Sequence, residues 1–220
     1  MHIIRQKWLD LSFLHWAVEP AAVAHYFPPG TRPDTFEGRT YVGLVPFRMV
    51  MLRSFLETNI RLYSVDTAGR QGVVFLSLDA NWLPLVVGSR ATLGIPYRWA
   101  RMQHQQDGGW HTYTSTLLRP HSKASSKIET QVGERLEPGP LEHFLTARWG
   151  LHLHRAGRTW YMPTEHPPWV LHRAELMGFE DRGLFASVGL GELSRRPPDH
   201  VAFSAGVPAR FGLPRGPVLP

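Results

Sequence analysis

The 220-residue chain contains no cysteine, which excludes disulfide bridges, thiolate zinc sites, iron–sulfur clusters and a cysteine nucleophile. Lysine is almost as scarce, because Lys7, Lys123 and Lys127 are the only lysines among 24 basic side chains. No apolar run approaches the roughly 20 residues that a membrane-spanning helix needs. The first residues also lack the apolar core of a signal peptide. We therefore predict a cytoplasmic protein that does not contact a membrane.

Apolar and aromatic residues are plentiful enough for a packed core. Hydrophobic residues make up 43% of the chain, with 11 Phe, 8 Trp and 6 Tyr. A chain of this length favours a single domain, which we place at residues 1–207. Residues 208–220 hold four prolines and are predicted to form an extended C-terminal tail.

The net charge of +6 is carried almost entirely by arginine. A basic balance is compatible with nucleic-acid binding, but the arginines are scattered from Arg5 to Arg215 without a block of five or six. This distribution is typical of a solvated surface. A nucleic-acid- or protein-binding regulatory module is therefore the alternative hypothesis, and nucleic acid is not the expected partner.

Residues 55–65 show a clear alternation with a period of two residues, which predicts a β-strand. Glu57, Asn59 and Arg61 share one face of this strand, and the other face is mostly apolar. The polar face has two explanations that the pattern alone does not separate. It meets solvent, as in an ordinary antiparallel sheet, or it lines a ligand pocket inside a closed barrel.

The rest of the chain reads as many short strands with a few short helices. A helix is predicted over residues 81–93, ended by Gly94. A hairpin is predicted around residues 107–109. This mixture indicates an α+β protein built on a mainly antiparallel sheet or a partly closed barrel.

Familiar cofactor and nucleophile motifs do not occur. There is no GxGxxG, Walker A, HExxH or GxSxG pattern. One group of residues suggests a metal enzyme as a further alternative, because His152, His154, Glu165 and His166 include two histidines at strand spacing. That spacing is weak evidence without a defined third ligand, so we predict neither a metal nor another cofactor.

Seven short motifs, in order, resemble the YqjF-like family of bacterial proteins, a domain of unknown function that is similar in turn to acetoacetate decarboxylase. They are residues 13–16 (FLHW), 41–47 (YVGLVPF), 57–61 (ETNIR), 74–80 (VFLSLDA), 93–97 (LGIPY), 145–149 (LTARW) and 166–169 (HPPW). The resemblance implies a cone-like, mostly antiparallel, partly closed β-barrel with short peripheral helices and an interior pocket. It therefore favours the interior position for the polar face of residues 57–61.

The chain departs from the decarboxylases at their reactive lysines. Those enzymes carry Gly-Arg-Glu, three residues, then Pro-Lys-Lys, and the first lysine forms a Schiff base with a keto acid. Here the corresponding residues 89–98 read SRATLGIPYR, so that Arg90 and Pro96 match but Tyr97 and Arg98 replace the lysines. Neither side chain can form that Schiff base. By its strand position, Glu57 matches the pocket glutamate of the decarboxylases.

These observations predict an interior pocket for a small anionic or carbonyl compound, without a Schiff-base lysine. If the protein is an enzyme, we expect a lyase or isomerase acting on a small keto or carboxylic acid. The candidate catalytic residues are Glu57 and Tyr97, and the candidate ligand-binding residues are His15, Asn59, Arg61 and Arg90. The resemblance also implies self-association into a homo-oligomer.

Overall fold

The computed structural model describes residues 2–118 and 124–219. Thirteen strands and three α-helices form this described part of the chain. The strands are β1 (His2–Val18), β2 (Thr31–Pro33), β3 (Thr40–Val50), β4 (Ser54–Asp66), β5 (Gln71–Ala80), β6 (Tyr97–Asp107), β7 (Trp110–Leu117), β8 (Ser125–Leu136), β9 (Gly150–Arg155), β10 (Arg158–Glu165), β11 (Leu171–Arg182), β12 (His200–Gly212) and β13 (Arg215–Val218).

The helices are short and lie between strands. They are α1 (Pro20–Val23), α2 (Leu83–Leu93) and α3 (Pro140–Thr146), with 3-10 turns at Ala24–Tyr26, Ala186–Val188 and Gly191–Arg195. The predicted end of the second helix is confirmed, because Gly94 adopts a left-handed conformation with φ of 68° and its N–H bonds the carbonyl of Arg90. Within the described residues, no helix has the length and apolar character to cross a membrane.

The strands form one sheet that closes into a ring. Its order is β13-β10-β9-β5-β6-β7-β8-β11-β12-β1-β3-β4-β2, and pairing of β4 with β5 closes the circle. Almost all pairings between the described strands are antiparallel, and β5 pairs in parallel with β6 and β9. A second contact, between β10 and β12, makes the ring irregular. The predicted α+β fold, a mainly antiparallel and partly closed sheet with short helices, is thus confirmed.

Both faces of β4 are buried. Phe55 and Tyr63 belong to one hydrophobic core, and Ile60 and Leu62 belong to the other. The alternation along β4 therefore reflects two buried faces that pack in different cores, rather than one buried face and one face exposed to solvent. Glu57, Asn59 and Arg61 face the first interior together with Tyr63.

The end of the chain differs from the predicted tail. Strand β12 continues through Gly212, and the segment Arg215–Val218 forms β13, which pairs with β10 at the edge of the sheet. Proline is tolerated in an edge strand because one side of its backbone needs no ladder partner. Pro217 lies in this edge strand and therefore does not prevent the segment from joining the sheet.

Candidate functional site

A cavity of about 170 Å³ lies inside the ring, among strands β1, β3, β4, β5, β6, β9, β10 and β12, with helix α2 along one side. Most of the lining side chains are aliphatic or aromatic. Six lining side chains carry a polar group besides the tryptophans: Gln6, Glu57, Asn59, Arg61, Ser89 and Tyr97. A similar volume, roughly 150 Å³, accommodates a molecule the size of benzene, so the cavity fits a ligand of about six heavy atoms.

Glu57 is the buried carboxylate of the cavity, with 2% of its surface exposed. Tyr97 donates its hydroxyl hydrogen to Glu57 Oε2 at 2.7 Å, and Asn59 donates from Nδ2 to Glu57 Oε1 at 3.3 Å. Strand alternation explains this contact within β4, because residues two apart point to the same face. Tyr97 comes from β6, whose start pairs with the end of β5.

The electrostatic position of Glu57 is unusual, because none of the hydrogen-bond partners described for it is a cation. Burial raises the pKa of Glu57 from 4.5 to about 7, although the hydrogen bonds from Tyr97 and Asn59 lower it. The carboxyl group therefore exchanges its proton near neutral pH, which suits a general acid or base. The pKa of Tyr97 lies well above its usual range because of burial and the neighbouring Glu57, so this phenol stays protonated.

Arg61 brings positive charge to the same cavity. Its Nε and Nη2 atoms donate to the hydroxyl of Tyr63 at 3.3 and 3.1 Å, and Nη2 also donates to the carbonyl of Leu145 at 3.3 Å. The guanidinium carbon lies 5.7 Å from the ring centre of Phe13 and 5.5 Å from that of Tyr63. These contacts use neither Nη1 nor a carboxylate partner, so the charge is available to an anionic ligand.

His15, predicted to bind the ligand, is fully buried behind Arg61 and does not line the cavity. Its Nε2 lies 2.7 Å from the hydroxyl of Tyr63, and its Nδ1 lies 3.0 Å from Nδ1 of His200. Because Arg61 can only donate, the Tyr63 oxygen accepts from it, which leaves the Tyr63 hydroxyl hydrogen for donation to His15 Nε2. Burial, His200 and Arg61 hold the pKa of His15 well below 6.5. His15 thus positions Tyr63 and Arg61.

Arg90, the other predicted ligand-binding arginine, does not reach the cavity. It is exposed on helix α2, does not line the cavity and donates from Nη1 to the carbonyl of Tyr97 at 2.8 Å. Helical periodicity explains the difference, because Leu85, Ser89 and Leu93 form the stripe of α2 that lines the cavity. Arg90 instead supports the backbone of the residue that binds Glu57.

Arg98, which the resemblance aligns with the second decarboxylase lysine, is also outside the cavity. It donates from Nε to Asp79 Oδ1 at 2.6 Å and from Nη1 to Ser187 Oγ at 2.6 Å. Adjacent residues on a strand point to opposite faces, so Tyr97 faces the cavity and Arg98 faces the other core.

The lysines of the chain do not supply an amine to the cavity among the described residues. Lys7 does not line the cavity, Lys127 pairs with Glu129 at 3.0 Å, and Lys123 lies outside the described residues.

The histidines considered for a metal site are held apart by other partners. His152 contacts Ser64 Oγ at 2.7 Å and Asp66 Oδ2 at 3.3 Å. His154 is exposed, and His166 packs against Trp149 with ring centres 4.5 Å apart. Among residues 2–118 and 124–219, no three His, Asp or Glu side chains form a group able to hold a metal ion.

Two cavity features were not found by reasoning from the sequence. Trp169 lines the cavity and donates from Nε1 to the carbonyl of Thr146, and its ring stacks on Trp8 with centres 6.0 Å apart. Arg148 lies behind Arg61 with its guanidinium carbon 5.1 Å from the Tyr63 ring centre. Both belong to motifs that carried the resemblance, but neither has a periodicity that predicts its direction.

Solved structures with this fold include enzymes. An acetoacetate decarboxylase-like enzyme from Sphingomonas wittichii RW1 has a TM-score of 0.68 at 10% identity, covering 97% of this chain and 92% of that one. The enduracididine biosynthesis enzyme MppR complexed with pyruvate has a TM-score of 0.63 at 12% identity, covering 98% and 90%. At these identities the likeness shows the fold alone.

Sequence comparison identifies the family. The chain is 29% identical over 186 residues to the uncharacterized protein YqjF of Bacillus subtilis (strain 168), covering 79% of this chain and 76% of that protein. The model of the DUF2071 family, described as an uncharacterized conserved protein, matches residues 5–208. The predicted resemblance is therefore confirmed, and the chain belongs to the DUF2071 family.

Proposed function

We propose that the cavity binds a small keto acid or related carboxylic acid and exchanges a proton with it, without forming a Schiff base. The observation that carries the proposal is the convergence of Glu57, Arg61 and Tyr97 on one buried, mostly apolar cavity. The neighbour MppR, which has the same fold, is complexed with pyruvate, and a compound of that size matches the volume.

Each polar side chain has a separate role in this proposal. Arg61 binds the carboxylate or the developing enolate oxygen, because its guanidinium has no carboxylate partner among the described contacts. Tyr97 was predicted to be a catalytic residue, but its hydroxyl hydrogen is already donated to Glu57. We therefore assign Tyr97 to positioning Glu57. Asn59 Oδ1 is buried without a hydrogen-bond partner among the described residues and is available to a ligand hydroxyl.

The proposed chemical step is enolisation. The Glu57 carboxylate takes a proton from the carbon beside the ligand carbonyl, the C–H electron pair forms a C=C bond, and the carbonyl oxygen becomes an enolate that Arg61 stabilises. Return of the proton from Glu57 restores the keto form. A pKa of about 7 allows Glu57 to act in both directions near neutral pH.

Ligand binding is tested first with the wild-type protein and two arginine variants. Pyruvate and 2-oxobutanoate are expected to raise the melting temperature, since a ligand at 100 times its Kd adds roughly 2.7 kcal/mol to the free energy of unfolding. Arg61→Gln should abolish this stabilisation. Arg101→Gln, which changes an exposed arginine of β6, is the matched control. Absence of any stabilisation by small keto or carboxylic acids refutes the proposal.

Proton exchange is tested separately by proton NMR in D2O. The wild-type protein should replace the hydrogens beside the carbonyl of 2-oxobutanoate with deuterium, and Glu57→Gln should slow this exchange by roughly a hundredfold or more. Borohydride reduction in the presence of the keto acid should leave no covalent adduct. An adduct on a lysine would show that Schiff-base chemistry operates after all.

A further inference from the structure

A smaller chamber of about 60 Å³ adjoins the main cavity beside Arg61. The two spaces share six lining side chains: Trp8, Arg61, Phe75, Leu151, Trp169 and Phe211. The chamber is further lined by Arg148, Thr164 and His166. With about 30 Å³ for each water molecule in the liquid, the chamber has the size of roughly two waters, or of one carboxylate group.

Arg148 is a buried residue of this chamber with a hydrogen-bond donor left unsatisfied in the described part of the chain. Its residue surface is 6% exposed. Nε donates to the carbonyl of Phe144 at 2.7 Å, and Nη1 donates to Asp34 Oδ2 at 2.5 Å. Nη2 is buried and has no hydrogen-bond partner among the described residues. Because a buried N–H group without an acceptor is costly, an acceptor in the adjoining chamber would satisfy it.

The charge around the chamber favours an anion. Arg61 and Arg148 lie against the same aromatic ring, with their guanidinium carbons 5.5 and 5.1 Å from the centre of Tyr63. Asp34 is paired with Arg148, whereas the described hydrogen bonds of Arg61 go only to neutral oxygens. Burial lowers the pKa of His166 below 6.5, so this imidazole is neutral at pH 7. The positive charge of Arg61 is therefore not compensated by an anionic partner among its described hydrogen bonds.

We propose that the chamber holds a second carboxylate of the ligand, between Arg61 and Arg148. The inference rests on the proposed function and names its substrate class, a linear dicarboxylic keto acid of four or five carbons. The keto acid end occupies the main cavity beside Glu57, and the distal carboxylate reaches Arg148. The combined space fits this class, because a portion of about six heavy atoms fills the cavity and a carboxylate fills the chamber.

The test compares 2-oxoglutarate with 2-oxopentanoate, which has the same chain length but no distal carboxylate. Isothermal titration at pH 7 and constant ionic strength should show the wild-type protein binding 2-oxoglutarate at least about tenfold more tightly, as expected for hydrogen bonds to a charged group. In Arg148→Met this preference should fall to about one, while the Kd for 2-oxopentanoate changes by less than about twofold.

A second variant separates ligand binding from folding. Arg148→Met leaves Asp34 without its cationic partner, so the double variant Arg148→Met with Asp34→Asn removes both charges and should show the same loss of preference. Equal affinity of the wild type for both acids overturns the inference and leaves the proposed function standing. A preference that survives in both variants also overturns it. Binding of neither acid by the wild type overturns the proposed function as well.

Discussion

Two carboxylates, Glu57 and Asp79, are buried on opposite faces of the strand pair β4–β5. The register places Asp79 opposite Thr58 and Glu57 opposite Ala80, so the two groups are near neighbours in the sheet. Asp79 forms an ion pair with Arg98 at 2.6 Å. Glu57 has only neutral donors, and its pKa rises to about 7.

The difference shows that a buried carboxylate can stabilise the structure on one face of the strand pair and contribute to the candidate site on the other face. Burial raises the pKa of Asp79, the ion pair with Arg98 lowers it, and the pair joins β5, β6 and the turn that carries Ser187. A buried carboxylate that lacks a cation titrates near neutrality and lines a cavity open to a ligand. Consecutive residues of β6 supply the two partners, Tyr97 to Glu57 and Arg98 to Asp79.

The largest effect is expected from disrupting the ion pair between Arg98 and Asp79. Arg98→Met leaves Asp79 buried without its cation and should lower the free energy of unfolding by about 3–5 kcal/mol, because an uncompensated buried charge remains. Urea denaturation measures the change. Adding Asp79→Leu to the same chain should recover most of the loss. A single-variant loss below about 1 kcal/mol would show that the ion pair does not hold these elements together.

The next effect concerns the pH dependence that Glu57 alone contributes. In the folded state its pKa is raised from 4.5 to about 7, so the folded protein holds a proton that the unfolded chain has released. Stability therefore falls as pH rises through this window, by about 3 kcal/mol at 1.36 kcal/mol per pKa unit. The free energy of unfolding of the wild type, relative to Glu57→Gln, should decrease by this amount between pH 4.5 and pH 7. A flat difference contradicts the raised pKa.

The smallest effect is expected from removing the hydrogen bond that Tyr97 donates to Glu57. The hydroxyl of Tyr97 stabilises the charged form of Glu57 and lowers its pKa. Tyr97→Phe should therefore move the pKa of Glu57 above its wild-type value, shifting the pH profile of proton exchange upward. Tyr63→Phe is the control, because Tyr63 contacts Arg61 rather than Glu57. A shift of equal size in both variants would mean that Tyr97 has no specific effect on Glu57.

Local pattern was enough to predict several parts of the fold and the site. The alternation of residues 55–65 predicted strand β4 and its polar face, and Gly94 predicted the end of helix α2. A strand with one solvent-facing side and a strand in a closed barrel show the same period-two alternation. The prediction that the polar face lies inside the protein therefore came from the resemblance. His15 and Arg90, predicted to bind the ligand, lie outside the cavity and contact Tyr63 and Tyr97 instead.

Long-range pairing decided the features that pattern could not show. The Pro-rich end joins the sheet because β10 offers an edge to β13, a contact between segments more than 50 residues apart. Arg148 meets Tyr63 and Asp34 although 85 and 114 residues separate them along the chain. Neither contact has a local sequence signal, because loop closure between distant segments depends on the packing of the whole sheet.

The sequence by itself determined which chemistry this protein lacks and which side chains β4 offers. The absence of cysteine follows from composition alone, and the resemblance to the decarboxylases implies that Tyr97 and Arg98 stand where those enzymes carry paired lysines. Only the tertiary structure decided that Glu57 is isolated from cations while Asp79 is paired. Burial and neighbouring charge set a carboxylate's pKa, and closure of the ring determines both.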